Sequence, residues 1–216
     1  MLAFMPKNPQ MRFIWCEMVF LERWFRTLSE EKKNAVRKLV KTGQLELASG
    51  SWVMTDEANP FFPITVDNLV EGQQFVFKEF GVRPSTIWSN DPFGYSNAVP
   101  YLFTKTGIHR AVINRIHHGI KQVLQNYRAI PFTWKQHFDT SQKSDMLTNV
   151  LPYHHYDVMN SCGPKSEVCC QFDFRRITDW PCAVEGATEI TAHNVQQKSE
   201  ALEEQLTEMS EIYQSN

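Results

Sequence analysis

"WSNDPFGYSNAVPYL", residues 88–102, decides how this chain is read. Ile87 and Trp88 end an apolar, strand-like run, "PSTIWSN" (84–90), of the kind that forms a buried strand. Pro92, Phe93 and Gly94 then force a turn. "SNAVPYLFTKTG" (96–107) reads as a helix with a proline in its first half and Gly107 at its end. One carboxylate, Asp91, stands between the strand and the helix. In parallel α/β folds function collects at the C-terminal ends of strands. A carboxylate there is a nucleophile, a metal ligand or the cap of the following helix, and this stretch alone leaves the three open.

Outward from it the alternation continues. "MRFIWCEMVF" (11–20) reads as a buried strand, and "SEEKKNAVRKLVKTGQ" (29–44) as a helix capped by Ser29, with Glu30 and Glu31 where the helix dipole favours negative charge. Ala35, Val36, Leu39 and Val40 form its apolar face and Gly43 ends it. "LELAS" (45–49) is a short strand. A long helix starts near Thr65 after Pro63, buries Val66, Leu69, Val70, Phe77 and Phe80, and closes at Gly81. "RAVINRI" (110–116) is another apolar strand. Residues 119–190 are less regular, and 194–213 form an amphipathic helix with Val195, Leu202, Leu206, Met209 and Tyr213 on one face. Strand, helix, strand, helix, strand is the pattern of parallel βα units, with strands apolar enough to be covered on both faces. The fold class is α/β, and no repeat or linker divides the chain.

Composition agrees with a folded domain. Of 216 residues 42% are hydrophobic and 12% aromatic, enough for a sizeable core and against disorder. The net charge of −2 gives no basic excess for nucleic acid, and no apolar run approaches a membrane span. The opening "MLAFMPKNPQ" lacks the form of a signal peptide, so any targeting segment is expected outside this chain. There is no Asn-x-Ser/Thr sequon.

Of five cysteines, Cys16 sits alone in an apolar stretch and reads as a buried free thiol. Cys162, Cys169, Cys170 and Cys182 crowd together without the paired C-x-x-C spacing of a zinc module. Two short-loop disulfides follow, and with them an oxidising compartment. Three pairings are open, and a bond between adjacent Cys169 and Cys170 would be strained.

Four stretches occur in order: "GSWVMTDEAN" (50–59), "WSNDPFGYS" (88–96), "INRIHHG" (113–119) and "SCGPKSEVCCQFDFRR" (161–176). Together they resemble the class II α-mannosidases of glycoside hydrolase family 38, closest to their Golgi branch, through nearly the whole chain. The resemblance implies that residues 1–216 are an incomplete N-terminal catalytic domain, part of a parallel seven-stranded (β/α) barrel. It implies a zinc-dependent retaining α-mannosidase acting on N-linked oligomannose-type glycans in the Golgi lumen. The membrane anchor would lie upstream, and this segment would touch neither membrane nor nucleic acid. Asp91 would be the catalytic nucleophile and also a zinc ligand. Phe93, Arg115, Tyr156 and Asp157 would bind substrate; a cation such as Arg115 can also hold a carboxylate ionised. Cys162 would pair with Cys169, and Cys170 with Cys182. "GSWVMTDEAN" would be architecture, with no chemical role for Asp56 or Glu57.

The pattern also departs from the family's. The remaining zinc ligands and the acid/base carboxylate cannot be placed on this chain. "HFD" (137–139) and "HYD" (155–157) spell His-x-Asp pairs, but in the wrong order for zinc ligands, and His117 and His118 read as structural. Tyr95 stands where many members write His. These 216 residues alone are therefore expected to be inactive. The alternative reading is a truncated, non-catalytic protein that keeps a sugar-binding surface.

Overall fold

A computed structural model describes residues 1–151, 155–175, Cys182 and 188–214. Arg176, which ends the fourth stretch quoted above, and the side chain of Tyr213 lie outside the described residues. The chain divides into two units: Met1–His117 with Pro131–Val150, and His118–Ile130 with Leu151–Asn216.

The first unit is the α/β body. It contains β1 (Phe13–Trp15), α1 (Met18–Phe25), α2 (Glu30–Lys41), β2 (Leu45–Leu47), α3 (Phe62–Phe80), β3 (Ile87–Ser89), α4 (Ala98–Lys105), β4 (Arg110–Ile113), β5 (Phe132–Trp134) and β6 (Met146–Val150). β1 and β2 pair in parallel, and a second sheet runs β3-β4-β6-β5. Ser49 ties the two together: its N–H donates to the Thr86 carbonyl at 2.7 Å and its hydroxyl accepts from the Trp88 N–H at 2.9 Å. β3, β4 and β6 are parallel, as the βα pattern predicts. β5 departs from it by running antiparallel to β6, because residues 135–145 connect the two directly, without a crossover helix.

The helices follow their local signals. The Ser29 hydroxyl accepts from the Lys32 N–H and starts α2. Gly81, at φ +67°, stops α3 in the left-handed conformation that glycine adopts without cost. Met18, Leu21, Phe25, Val36, Leu39, Leu45, Leu47 and Val76 interlock as the core between α1, α2, α3 and the β1–β2 pair.

Two expected faces are corrected. The strand expected over 11–20 is only three residues long; α1 begins already at Met18, and Phe13 and Ile14 are exposed because β1 lies at the edge of its sheet. In α3, Val70 and Phe77 point outward, and the buried stripe is Thr65, Asn68, Leu69, Gly72 and Val76. Backbone proximity selects it. A Cβ on Gly72 would stand 2.2 Å from the Gly50 carbonyl oxygen, and Asn68 exchanges hydrogen bonds with the Val53 backbone at 2.8 and 3.0 Å.

The second unit contains α5 (His118–Asn126), α6 (Val158–Ser161), α7 (Ser166–Cys170) and α8 (Val195–Gln214). Disulfides join Cys162 to Cys169 and Cys170 to Cys182. The apolar face expected for α8 is also corrected: Val195 and Leu206 are exposed, while Lys198 and Gln205 are buried. The Gln205 side-chain oxygen accepts from the Lys165 backbone N–H at 2.8 Å, so a polar group meets the start of α7. Among the described residues, no helix is long and apolar enough to cross a membrane.

Candidate active site

Side chains two apart on a strand share a face. Ile87 pairs with Ala111 and Ser89 with Ile113 in the β3–β4 ladder. One step further along both strands come Asp91 and Arg115, and these meet. The Arg115 Nη2 lies 2.6 Å and its Nε 2.7 Å from Asp91 Oδ1. Both guanidinium N–H groups donate to the same oxygen, a charge-assisted contact. The guanidinium also lies 5.5 Å from the centroid of the Phe93 ring, within cation–π range. The Phe93 ring is exposed, and the Asp91 side chain is 46% exposed. Asp91, Phe93 and Arg115 thus come together at the C-terminal edge of two parallel strands.

The turn between them is built for this. Pro92 is fully buried and anchors the loop, while Gly94, at φ +129°, takes a backbone conformation that side chains disfavour. Tyr95 then folds back under the motif. Its hydroxyl donates to the Ser89 carbonyl at 2.7 Å and accepts from the Asn114 N–H at 3.2 Å. Its ring meets Trp134 of β5 edge to face at 6.2 Å. Burial pushes the phenol's pKa upward. Beside the motif opens a pocket of about 400 Å³ lined by Asp56, Glu57, Phe62, Phe93 and Tyr95, among others. Sequence reasoning missed the Tyr95 bridge and this pocket wall, since neither a hydroxyl spanning two strands nor a loop lying over a helix start has a local spelling.

Tyr156 and Asp157 lie in the second unit. Asp157 caps α6, its Oδ1 accepting from the Asn160 backbone N–H at 3.1 Å and side-chain amide at 2.6 Å. His155 stacks on Tyr156 with centroids 4.9 Å apart, and its Nδ1 is 3.5 Å from Asp157 Oδ2. In "HFD", Asp139 accepts from the backbone N–H of Ser141 and from the hydroxyls of Ser141 and Ser144, which hold its carboxyl at a pKa of about 2. It is a turn device. Cys16 is unpaired and half-buried, and burial beside Glu17 and Glu46 pushes its thiol up to about 12.

Among the described residues, no three His, Cys, Asp or Glu side chains gather as metal ligands. Asp91 supplies one carboxylate, and one carboxylate does not make a zinc site. The described residues do not by themselves fit a bound zinc ion.

The whole chain, residues 1–216, matches the Glycosyl hydrolases family 38 N-terminal domain. It is 36% identical to mouse Alpha-mannosidase 2x across 100% of its own length, 36% identical to Arabidopsis thaliana Alpha-mannosidase 2 across 97%, and 37% identical to Drosophila melanogaster Alpha-mannosidase 2 across 97%. The chain spans only 18–19% of the length of these relatives. Among solved structures it is similar in fold to 4-alpha-glucanotransferase from Thermococcus litoralis. That match has a TM-score of 0.53 and 12% identity, and covers 69% of this chain and 23% of the other.

Proposed function

The chain belongs to the glycosyl hydrolases of family 38, and from that premise we propose that a full-length protein carrying it is a retaining α-mannosidase with Asp91 as its nucleophile. Residues 1–216 then serve as an incomplete N-terminal catalytic domain, contributing some strands of a seven-stranded (β/α) barrel. The observation that carries this reading is the Asp91–Arg115 pair, set one step beyond the last rung of the β3–β4 ladder at 2.6 Å.

The chemistry follows from the geometry. In a retaining reaction a carboxylate attacks the anomeric carbon and an acid protonates the departing oxygen. Water then hydrolyses the covalent glycosyl-enzyme. Asp91 opens a tight turn, and Arg115 fixes its Oδ1, so the carboxylate is held in place before substrate arrives. The exposed Phe93 ring offers an apolar face to a sugar. The acid/base group would come from elsewhere in the full-length protein. Zinc is the metal that the family resemblance implies, with Asp91 as one ligand, and it would grip sugar hydroxyls when bound.

The substrate class we propose is the oligomannose-type N-glycan, processed in the Golgi lumen. Names of the relatives support the mannoside part, and the two disulfides fit an oxidising compartment. Tyr156 and Asp157 are proposed as substrate contacts, Asp157 alongside its capping role. The test is Asp91→Asn in the full-length protein, assayed on an aryl α-mannoside beside a thermal melt. The expected loss of kcat is about a thousandfold or more, at an unchanged melting temperature. A folded variant that keeps a tenth of the activity overturns the assignment.

A further inference from the structure

We infer that Tyr95 is a positioning residue, a hydroxyl clamp that holds the ends of β3 and β4 at the spacing which places Arg115 on Asp91. The inference rests on the proposed role of Asp91 and deepens it. Three observations carry it.

The first is location. The ladder's last backbone rung pairs Ser89 with Ile113. Beyond it the two strands leave each other, Asn90 leading to Asp91 and Asn114 to Arg115. The Tyr95 hydroxyl sits at this fork, donating to the Ser89 carbonyl and accepting from the Asn114 N–H. One oxygen therefore bridges the two chains just before the functional side chains. Asp91 lies two residues past one partner, and Arg115 directly follows the other.

The second is environment. Ser89 and Asn114 are 9% and 1% exposed, so water is a poor substitute for the phenol. The edge-to-face contact with Trp134 of β5 fixes the ring from the other side. Burial raises the phenol's pKa, so the proton that serves Ser89 stays in place at neutral pH.

The third is the loop itself. Gly94, at φ +129°, turns the chain back so that Tyr95, four residues past Asp91, reaches under the residues that carry it. The motif thereby braces its own carboxylate.

The division of labour is specific. Arg115 touches the nucleophile with its guanidinium, and Tyr95 sets the backbone beneath both residues. A small shift of positioned groups is costly to rate, about a hundredfold for 1 Å. Loss of one hydroxyl at the fork is expected to sit below that limit.

The test is Tyr95→Phe in the full-length protein, which keeps the ring and its Trp134 contact and removes only the oxygen. On an aryl α-mannoside we expect kcat to fall about tenfold while KM changes less than about twofold. In the same protein, hydrogen exchange of the peptide spanning Asn114 should speed up while the rest of β4 stays protected. Tyr95→His, which keeps a ring with an N–H donor, should regain part of the lost kcat. An unchanged kcat with faster exchange at Asn114 overturns the inference, because the clamp would then open without consequence. A Tyr95→Phe protein that fails to fold also overturns it, since the hydroxyl would be a folding element and not a positioning one. Absence of mannosidase activity in the wild-type protein strikes at the proposed function instead, so the two failures are told apart.

Discussion

Two N–H groups converging on one oxygen of Asp91 look like a strong interaction, yet the side chains are 36% and 46% exposed. Exposed pairs of this kind contribute about 0–1 kcal/mol to stability. The value of the contact therefore lies in direction, not in holding the fold together. Cys16 shows the opposite economy of placement. Its thiol is pushed up to about 12 from 9.0 by burial and two nearby carboxylates, so almost no thiolate exists at pH 8. Because the thiolate is the reactive form, alkylation of native Cys16 should run about a thousandfold slower than that of an ordinary thiol. The rate should climb tenfold per pH unit as far as the fold survives. Mass-spectrometric alkylation kinetics between pH 7 and 9 check this; a rate like that of a free peptide thiol contradicts it. At this scale the sequence was partly legible. Asp91 could be picked out from a strand end, a proline and a glycine. Arg115 could not be paired with it by local pattern, because the 24-residue offset that joins them is a property of strand register.

At the scale of elements, the loop after β2 and the start of α3 act as one piece. The Trp52 N–H donates to the Asn68 carbonyl at 2.9 Å, and the Asn68 side chain satisfies Val53 from both sides. Gly72 permits the approach. Gly72→Ala would normally favour a helix, but here the new methyl meets backbone at 2.2 and 2.5 Å, which cannot yield as a flexible side chain would. The expected outcome is a net destabilisation of about 1–3 kcal/mol, read from urea denaturation; a variant as stable as the parent contradicts the packing. Caps and stops were the most legible features: Ser29, Gly81 and Gly107 mark helix ends in sequence and structure alike, while α3 starts at Phe62, ahead of the expected Thr65, with Pro63 inside its first turn. β5, β6 and α5 were not legible. β6 alternates buried Met146, Thr148 and Val150 with exposed Leu147 and half-buried Asn149, so a polar residue occupies an inward position and a leucine an outward one. The inward faces of α3 and α8 escape hydropathy for the same reason: glycine, asparagine and glutamine are buried where backbone or a polar neighbour comes close, and hydropathy alone assigns them outward.

At the scale of the molecule, the chain covers 18–19% of its relatives' length while matching the family 38 N-terminal domain from end to end. It supplies a proposed nucleophile, its arginine and a hydroxyl brace within one unit. The proposed acid/base group and most zinc ligands would be supplied from outside these residues. That division explains why the site reads clearly around Asp91 and thins out elsewhere. The central claim is the covalent role of Asp91, and the most direct measurement traps it. A fluorinated mannosyl fluoride forms a long-lived glycosyl-enzyme, and digestion followed by peptide mass spectrometry locates the sugar. In the full-length protein one adduct is expected, on the peptide containing Asp91. A sugar found on any other carboxylate, or an active enzyme that turns over without forming an adduct, would contradict it.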